Sequence, residues 1–266
     1  MKIKRAITGI LRLLGYLFLL MVLAVLTATV SEKKKQLICR AVVPEILDSA
    51  KVRFITAKDI KDLLREKQGR MLGMPLYSIN TEKIEKILLK HPYIKQAEAY
   101  KDADGVLHID ILQRKPVVRI YLPGRPGFFV DDEGYILPWS PRYPVYVLVA
   151  SGNIPVPSRV ASFKTVYDLP EKTHVQDIYR LACYIDSVPF WKAQIEEIYI
   201  DDRGDYTLTP RVGSHAIILG DMEDYRGKFR KLYLFYTHAL NNLGWNRYTT
   251  INLAFKNQIV CTKRSQ

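Results

Sequence analysis

The side chains that could carry out chemistry in this 266-residue chain are its histidines, cysteines and carboxylate clusters. The histidines are scattered, and no two stand at metal-ligand spacing: His91, His108, His174, His215 and His238. Ser214 precedes His215, but adjacent strand residues point to opposite faces and cannot act as nucleophile and base. Motifs of phosphate loops, zinc proteases and nucleophile elbows are missing from the sequence. The sequence therefore predicts no enzyme activity, no cofactor and no metal.

Two acidic clusters and three cysteines have structural explanations. Asp201-Asp202-Arg203-Gly204-Asp205 and Asp131-Asp132-Glu133-Gly134 combine residues that suit tight turns, whereas a calcium site needs more oxygen ligands at regular spacing. Both segments are therefore predicted to be hairpin turns. Cys39, Cys183 and Cys261 lie far apart without a C-x-x-C pair, which favours free thiols, although one disulfide is compatible with an oxidising compartment.

The C-terminal end carries the predicted binding site. Residues Tyr248–Phe255 and Gln258–Lys263 form a predicted hairpin around Lys256-Asn257. A final strand can leave a row of unpaired N–H and C=O groups that a partner's strand can bind through main-chain hydrogen bonds. The predicted partner-binding residues are Ile259, Val260, Cys261, Thr262 and Lys263. Strand alternation places Ile259 and Cys261 on one face and Val260 on the other. The alternative is an ordinary edge strand without a partner.

A β-α-α-β-β module over residues 36–115 precedes this region. Thr56 and Asp59 form a predicted capping box, and Asn80 caps a second predicted helix that runs through Lys90. The strands are predicted at Leu37–Leu47, Ile94–Lys101 and Val106–Gln113. The helical spacing directs one set of apolar residues toward the sheet: Ile60, Leu64, Ile84 and Leu88.

Residues 116–266 are predicted to form a β-rich domain with two helices, so the fold class is α+β. The helices are Val175–Ser187 and Met222–Leu243, the latter capped by Asp221, with an apolar stripe of Phe229, Leu232, Tyr233, Tyr236, Leu240 and Leu243. Gly127–Val130 is expected to pair with Tyr135–Leu137. Further strands are predicted at Tyr143–Val149, Ile195–Asp201, Tyr206–Thr209 and His215–Leu219.

An uncharged apolar run from Leu13 to Val30 is long enough for a transmembrane helix. A signal peptide usually has a shorter apolar core and a small-x-small site, and Thr27-Ala28-Thr29 matches that site poorly. Residues 13–30 are therefore predicted to be an uncleaved anchor, with a cleaved signal peptide or a buried helix as alternatives. Basic residues flank both ends, so charge does not fix the orientation. We expect the short tail, residues 1–12, in the cytoplasm and the body outside.

The net charge of +13 is concentrated near this run. The first 35 residues contain seven basic side chains and one acidic side chain, so about half of the excess flanks the apolar segment. Such charge is typical of a segment close to anionic lipid. The body lacks a dense basic stripe with interleaved aromatic residues, so a nucleic-acid partner is not expected.

Several segments together resemble the FtsQ/DivIB family of bacterial cell-division proteins. Gln113-Arg114-Lys115-Pro116 is similar to the family's joint after the first module, and Phe129-Val130-Asp131 with Gly134 is similar to its next hairpin. Val147–Gly152 resembles the following strand. Ile251-Asn252-Leu253 resembles the penultimate strand, in which Asp often stands where this chain has Asn252. The order of these motifs covers nearly the whole chain.

This resemblance implies a POTRA domain and a β domain outside the bacterial inner (cytoplasmic) membrane. It implies a non-enzymatic scaffold of the division complex that binds FtsB-like and FtsL-like coiled-coil proteins, with a strand from the FtsB-like partner on Ile259, Val260 and Cys261, flanked by Lys263. Two other functions stay open at this point: a POTRA-bearing envelope chaperone or secretion component, and an anchored envelope hydrolase.

Overall fold

The computed structural model describes residues 15–23, 37–48, 53–140, 145–160, 164–170, 173–240 and 244–264. Residues 15–23 are helical and exposed. Leu13 and Val30, the predicted ends of the anchor, and the predicted tail at 1–12 lie outside the described residues. Among the described residues, no helix is both long enough and apolar enough to span a membrane.

The chain divides into two compact units. The first unit comprises Met1–Lys51 and Ile55–Gln113, and the second comprises Val52–Phe54 and Arg114–Gln266. The elements of the first unit, in chain order, are β1 (Ala41–Ile46), α1 (Ala57–Gln68), a 3₁₀ turn (Leu76–Ser78), α2 (Thr81–Leu88), β2 (Ile94–Lys101) and β3 (Val106–Gln113). Its sheet has the order β1-β3-β2, with β1 parallel and β2 antiparallel to β3.

Local capping sets the two helices of the first unit. The Thr56 hydroxyl accepts from Asp59 N, the Asp59 carboxylate accepts from Thr56 N, and the Asn80 side chain accepts from Lys83 N. The second helix ends at Leu88, not at Lys90 as predicted, because the Pro92 ring would clash with the Leu88 carbonyl of a continued helix.

The core of the first unit confirms the predicted helix faces. Ile60, Leu64, Ile84 and Leu88 are fully buried and share one cluster with Leu107, Ile109 and Ile111 of β3. The strand predicted at Leu37–Leu47 is shorter, because its first residues bond to a loop instead of a strand. Leu76 N donates to Leu37 O, and Cys39 N donates to Met74 O.

The second unit begins with β4 (Pro116–Leu122), β5 (Arg125–Asp131), β6 (Ile136–Pro138), β7 (Leu148–Gly152), a 3₁₀ turn (Val166–Asp168), α3 (Val175–Ser187) and α4 (Pro189–Gln194). It continues with β8 (Ile195–Ile200), β9 (Tyr206–Pro210), β10 (Ala216–Gly220), α5 (Tyr225–Phe235), a π-helical turn (Tyr236–Leu240), β11 (Tyr248–Asn252) and β12 (Val260–Lys263). Its described strands form one mixed sheet in the order β12-β11-β10-β9-β8-β7-β4-β5-β6. The fold class is therefore α+β, with β4 and α4 as elements that the sequence did not predict.

Helix α5 begins at Tyr225, later than the predicted start at Met222. Asp224, not Asp221, caps it by accepting from Gly227 N, whereas the Asp221 carboxylate accepts from Glu223 N and from the Lys228 ammonium. Its apolar stripe is buried at Phe229, Leu232, Tyr236 and Leu240, but Tyr233 is 44% exposed. The predicted end, Leu243, lies outside the described residues.

The first two residues of the strand predicted at Tyr143–Val149 lie outside the described residues, and β7 runs from Leu148 through Gly152. It pairs in parallel with β8, from Val149 opposite Glu197 to Gly152 opposite Ile200. Gly152 has φ +98°, and a Cβ there would collide with the Ile200 carbonyl, so only glycine fits this close approach of two strands. The strand was predicted to end at Val149, but Ser151 and Gly152 are also part of the sheet.

Candidate strand-addition edge

The last strand lies at one end of the sheet in the second unit. β12 pairs on one side with β11, antiparallel, with Asn252 opposite Val260 and Ile251 opposite Cys261. No strand within the described ranges lies against its other side. The predicted hairpin is confirmed, although β11 ends at Asn252 and not at Phe255, and β12 begins at Val260 and not at Gln258. The described part of the chain therefore presents an open strand edge at β12.

Side chains alternate along this edge as predicted. Ile259 and Cys261 pack against the core of the unit, whereas Val260 is 41% exposed. Thr262 and Lys263 are also exposed. The strand is therefore held by Ile259 and Cys261 and offers Val260 and Thr262 on the open face of the sheet.

Hydrogen bonds with β11 indicate which backbone groups point outward. Arg264 N donates to Arg247 O at 2.9 Å, and Thr262 O accepts from the Thr249 hydroxyl at 3.3 Å. Because N–H and C=O groups alternate in direction along an antiparallel strand, residues 260, 262 and 264 face β11. The backbone groups of residues 261 and 263 then face away from β11, toward the open edge.

The turn between β11 and β12 is held from the neighbouring helix. The Lys231 ammonium donates to the carbonyls of Phe255 at 2.6 Å, Lys256 at 3.2 Å and Leu253 at 3.4 Å. The Asn252 side-chain oxygen accepts from Ala254 N at 2.9 Å and so bends the chain after β11. Lys231 carries no sequence signal of this role, because its partners are backbone carbonyls more than 20 residues away.

The surroundings of the edge are basic. In the described part of the chain, four exposed cations near the hairpin have no acidic side chain within salt-bridge distance. They are Arg247, Lys256, Lys263 and Arg264. The Arg264 guanidinium also donates to Ser214 O at 2.7 Å and ties the end of the strand to the segment before β10. An acidic partner segment would be attracted to this edge.

His215 and Ser214 bind other side chains. His215 is buried, its Nε2 lies 2.8 Å from the Tyr236 hydroxyl, and burial lowers the pKa of His215. The Ser214 hydroxyl donates to Asn246 Oδ1 at 3.4 Å. Within the described residues, no three His, Cys, Asp or Glu side chains are grouped so that they could hold a metal ion. Cys39, Cys183 and Cys261 are free thiols, as predicted.

Both carboxylate clusters form hairpin turns, as predicted. Asp201 Oδ1 accepts from the backbone N–H groups of Arg203 and Asp205 at 2.8 and 3.0 Å, and these bonds lower the pKa of Asp201. Asp131 Oδ1 makes the same contacts with Glu133 N and Tyr135 N, at 3.0 and 2.7 Å. These carboxylates stabilise turns by binding backbone N–H groups.

A contact between Arg114 and Asp131 joins the motif Gln113–Pro116 to the hairpin motif that contains Asp131. The Arg114 guanidinium donates to Asp131 Oδ2 at 2.8 Å and lies 3.7 Å from the centre of the Tyr135 ring. The Asp131 side chain is completely buried, and that of Arg114 is 14% exposed. This pair joins the entry of the second unit to its first hairpin.

Each of the two units matches the model of a known protein family. Residues 37–112 match the family model of a POTRA-like domain, so the first unit is a domain of that class. Residues 115–262, more than half of the chain, match the family model described as FtsQ/DivIB, C-terminal related. The chain belongs to the FtsQ/DivIB family. A relative from Rhodothermus marinus, named Cell division protein FtsQ, is 27% identical over 192 residues, which cover 71% of this chain and 67% of the relative.

Proposed function

We propose that this chain is a non-enzymatic, membrane-anchored scaffold of the bacterial cell-division complex. Its family and the name of its Rhodothermus relative support a role in cell division. The proposed anchor is the apolar run from Leu13 to Val30, in the inner membrane, with both units on the outer side. The proposed activity is binding, by addition of a partner's strand to β12.

The observation that carries this proposal is the open edge of β12. Ile259 and Cys261 fix the strand on the core, while its outer backbone groups have no strand partner among the described residues. An extended segment can add a strand there and satisfy these groups through main-chain hydrogen bonds. The partner-binding residues are Ile259, Val260, Cys261, Thr262 and Lys263.

The chemistry of the edge also defines a partner. The partner's strand would place an apolar side chain beside the exposed Val260. It would place acidic residues near Lys263 and Arg264, since cross-strand pairs of opposite charge stabilise a sheet. We propose an FtsB-like protein as the source of this strand, bound together with an FtsL-like protein.

The edge can be tested with proline substitutions at a residue whose N–H faces outward. Cys261→Pro removes a donor from the open side and obstructs the approach of another strand. Cys261→Ala is the matched control, because it removes the same thiol and keeps the N–H. In a pull-down with the soluble domain of an FtsB-like partner, we expect at least a tenfold loss of affinity for Cys261→Pro and less than a threefold change for Cys261→Ala.

Truncation after Gln258 removes the entire strand and gives a second measurement. The truncated chain should fail to bind while circular dichroism shows that the chain keeps its secondary structure and tryptophan fluorescence shows that the second unit is folded. Binding at full strength by a folded chain without β12 would refute strand addition.

A further inference from the structure

A groove in the first unit combines basic and apolar side chains. It is lined by the start of β1, by α1 and by the segment that follows α1, and it has a volume of about 640 Å³. Four of its lining residues are basic and three are large and apolar: Arg40, Lys61, Arg65 and Arg70, with Val42, Met71 and Leu72. We refer to these seven residues as the basic groove.

The four cations are not neutralised by the described part of the chain. All four are exposed, and none lies within salt-bridge distance of a described acidic side chain. Lys61 and Arg65 are four residues apart on α1 and therefore share one helix face. A concentrated positive surface of this kind attracts an anionic ligand.

Exposed apolar side chains continue from the groove along the adjoining loop. Leu72 is 46% exposed, Met74 40% and Tyr77 65%, and Ile38 on the facing segment is 48% exposed. The loop is bonded to that segment through Gly73 N to Cys39 O and Leu76 N to Leu37 O, at 2.8 and 2.7 Å. Apolar side chains beside cations are typical of surfaces that lie in the headgroup region of a bilayer.

The chain length between this surface and the apolar run favours a membrane as the ligand. Only six residues separate Val30 from Leu37. Even a fully extended chain spans at most roughly 25 Å over these residues. If Leu13–Val30 crosses the bilayer, the loop that bonds to Leu37 and Cys39 is therefore kept close to the headgroups.

We infer that the basic groove and the loop at Leu72–Tyr77 bind the anionic phospholipid surface of the membrane in which the chain is anchored. The cations contact headgroup phosphates, and Leu72, Met74 and Tyr77 enter the interface between headgroups and acyl chains. This inference rests on the proposed anchoring and extends it, because it assigns to the first unit a defined surface that contacts the bilayer.

Photo-crosslinking from two matched leucines tests the inference. Leu72 lies at the groove, and Leu89, 49% exposed, follows α2 at the other end of the sheet, where Ile94 is opposite Gln113. The photo-reactive residue benzoylphenylalanine replaces one or the other in the full chain, reconstituted into phosphatidylcholine vesicles with or without one-fifth phosphatidylglycerol. We expect crosslinks to phosphatidylglycerol from position 72 at five or more times the yield from position 89.

A second experiment removes positive charge from the basic groove. The double variant Lys61→Gln and Arg65→Gln keeps helix propensity and removes two cations. Each basic residue near an anionic surface contributes about 1 kcal/mol, which is about a fivefold change. The yield from position 72 should therefore fall at least fivefold, and unchanged circular dichroism should show that the unit is folded.

These experiments distinguish failure of lipid binding by the basic groove from failure of the membrane anchor. Retention of the chain in pure phosphatidylcholine vesicles after a carbonate wash measures the anchor. If the chain is retained but positions 72 and 89 crosslink to lipid equally, or the double variant crosslinks like the parent, the groove does not bind lipid. Crosslinking in cells to an acidic protein and not to lipid would also overturn the inference. If the chain is washed out but position 72 still crosslinks to phosphatidylglycerol, only the anchor is refuted.

Discussion

At the scale of single residues, the pair of Arg114 and Asp131 shows how a local motif becomes a tertiary contact. The Asp131 carboxylate organises its own turn through two backbone N–H groups and accepts a hydrogen bond from the guanidinium of Arg114, two residues before β4. Its side chain has no exposure to solvent. A buried carboxylate is tolerated in such a site because every oxygen is paired.

Removal of one partner of this pair should therefore be costly. We expect Asp131→Ala to lower the free energy of unfolding of the second unit by about 3–5 kcal/mol, because it removes the buried partner of Arg114 and the acceptor of the Glu133 and Tyr135 N–H groups. Glu133→Ala is the control, since Glu133 lies 3.3 Å from the same guanidinium with its side chain 44% exposed, and it should cost at most about 1 kcal/mol. Urea denaturation measures both, and equal losses would contradict this account.

His215 makes the stability of the second unit dependent on pH. Burial lowers the pKa of His215, so the folded chain keeps the imidazole neutral where the unfolded chain already binds a proton. As the pH falls below the unfolded pKa of about 6.5, the unfolding free energy should fall by at most about 1.4 kcal/mol per pH unit from this residue.

The measurement is urea denaturation between pH 7.5 and 5, followed by tryptophan fluorescence, since Trp139, Trp191 and Trp245 all lie in the second unit. His215→Gln should flatten the pH dependence below pH 6.5. His91→Gln, in the first unit, should leave it unchanged, although burial lowers the pKa of His91 as well. An unaltered slope in His215→Gln would exclude this histidine as the cause.

At the scale of elements, the helices of the first unit depend on one apolar face each. α2 contributes Ile84 and Leu88, both fully buried against the sheet, and its next residue, Leu89, is 49% exposed. Burial of these side chains, more than the helix propensity of eight residues, holds so short a helix in place.

The contrast between the two leucines gives a prediction for the first unit. Leu88→Ala should destabilise it by about 2–5 kcal/mol, since truncation of a buried leucine also leaves a cavity. Leu89→Ala should stay within about 0.5 kcal/mol of the parent. Thermal melting measures the loss of stability, and hydrogen exchange of the amides in β2 and β3 assigns it to the first unit. Comparable losses in the two variants would show that the face of α2 is wrongly assigned.

At the scale of the whole molecule, the proposed function requires the chain to be anchored at its N-terminal end. The full chain should stay in the membrane fraction after carbonate extraction, and its N-terminus should be at or near Met1. A reporter fused after Gln266 should be active only outside the cytoplasm. A mature N-terminus near Ser31 would show that the apolar run is a cleaved signal peptide, and reporter activity inside the cell would reverse the orientation.

The sequence by itself determined the elements whose signals are local. The bounds of β2, β3 and α3 and the start of α1 were predicted to the residue, because local signals such as the Thr56 cap and the alternation along β3 depend on neighbours within a few positions. The alternation of Ile259, Val260 and Cys261 followed from the same rule. The resemblance of ordered motifs added the family.

Only the tertiary structure decided the features that join distant segments. Gly152 belongs to a strand because β8 lies beside it, and Asp224 caps α5 while the Asp221 carboxylate binds the Lys228 ammonium. Lys231 holds a turn more than 20 residues away, and the open edge of β12 depends on the order of all strands in the sheet. Such contacts are chosen by packing across the fold, and no pattern of neighbouring residues encodes them.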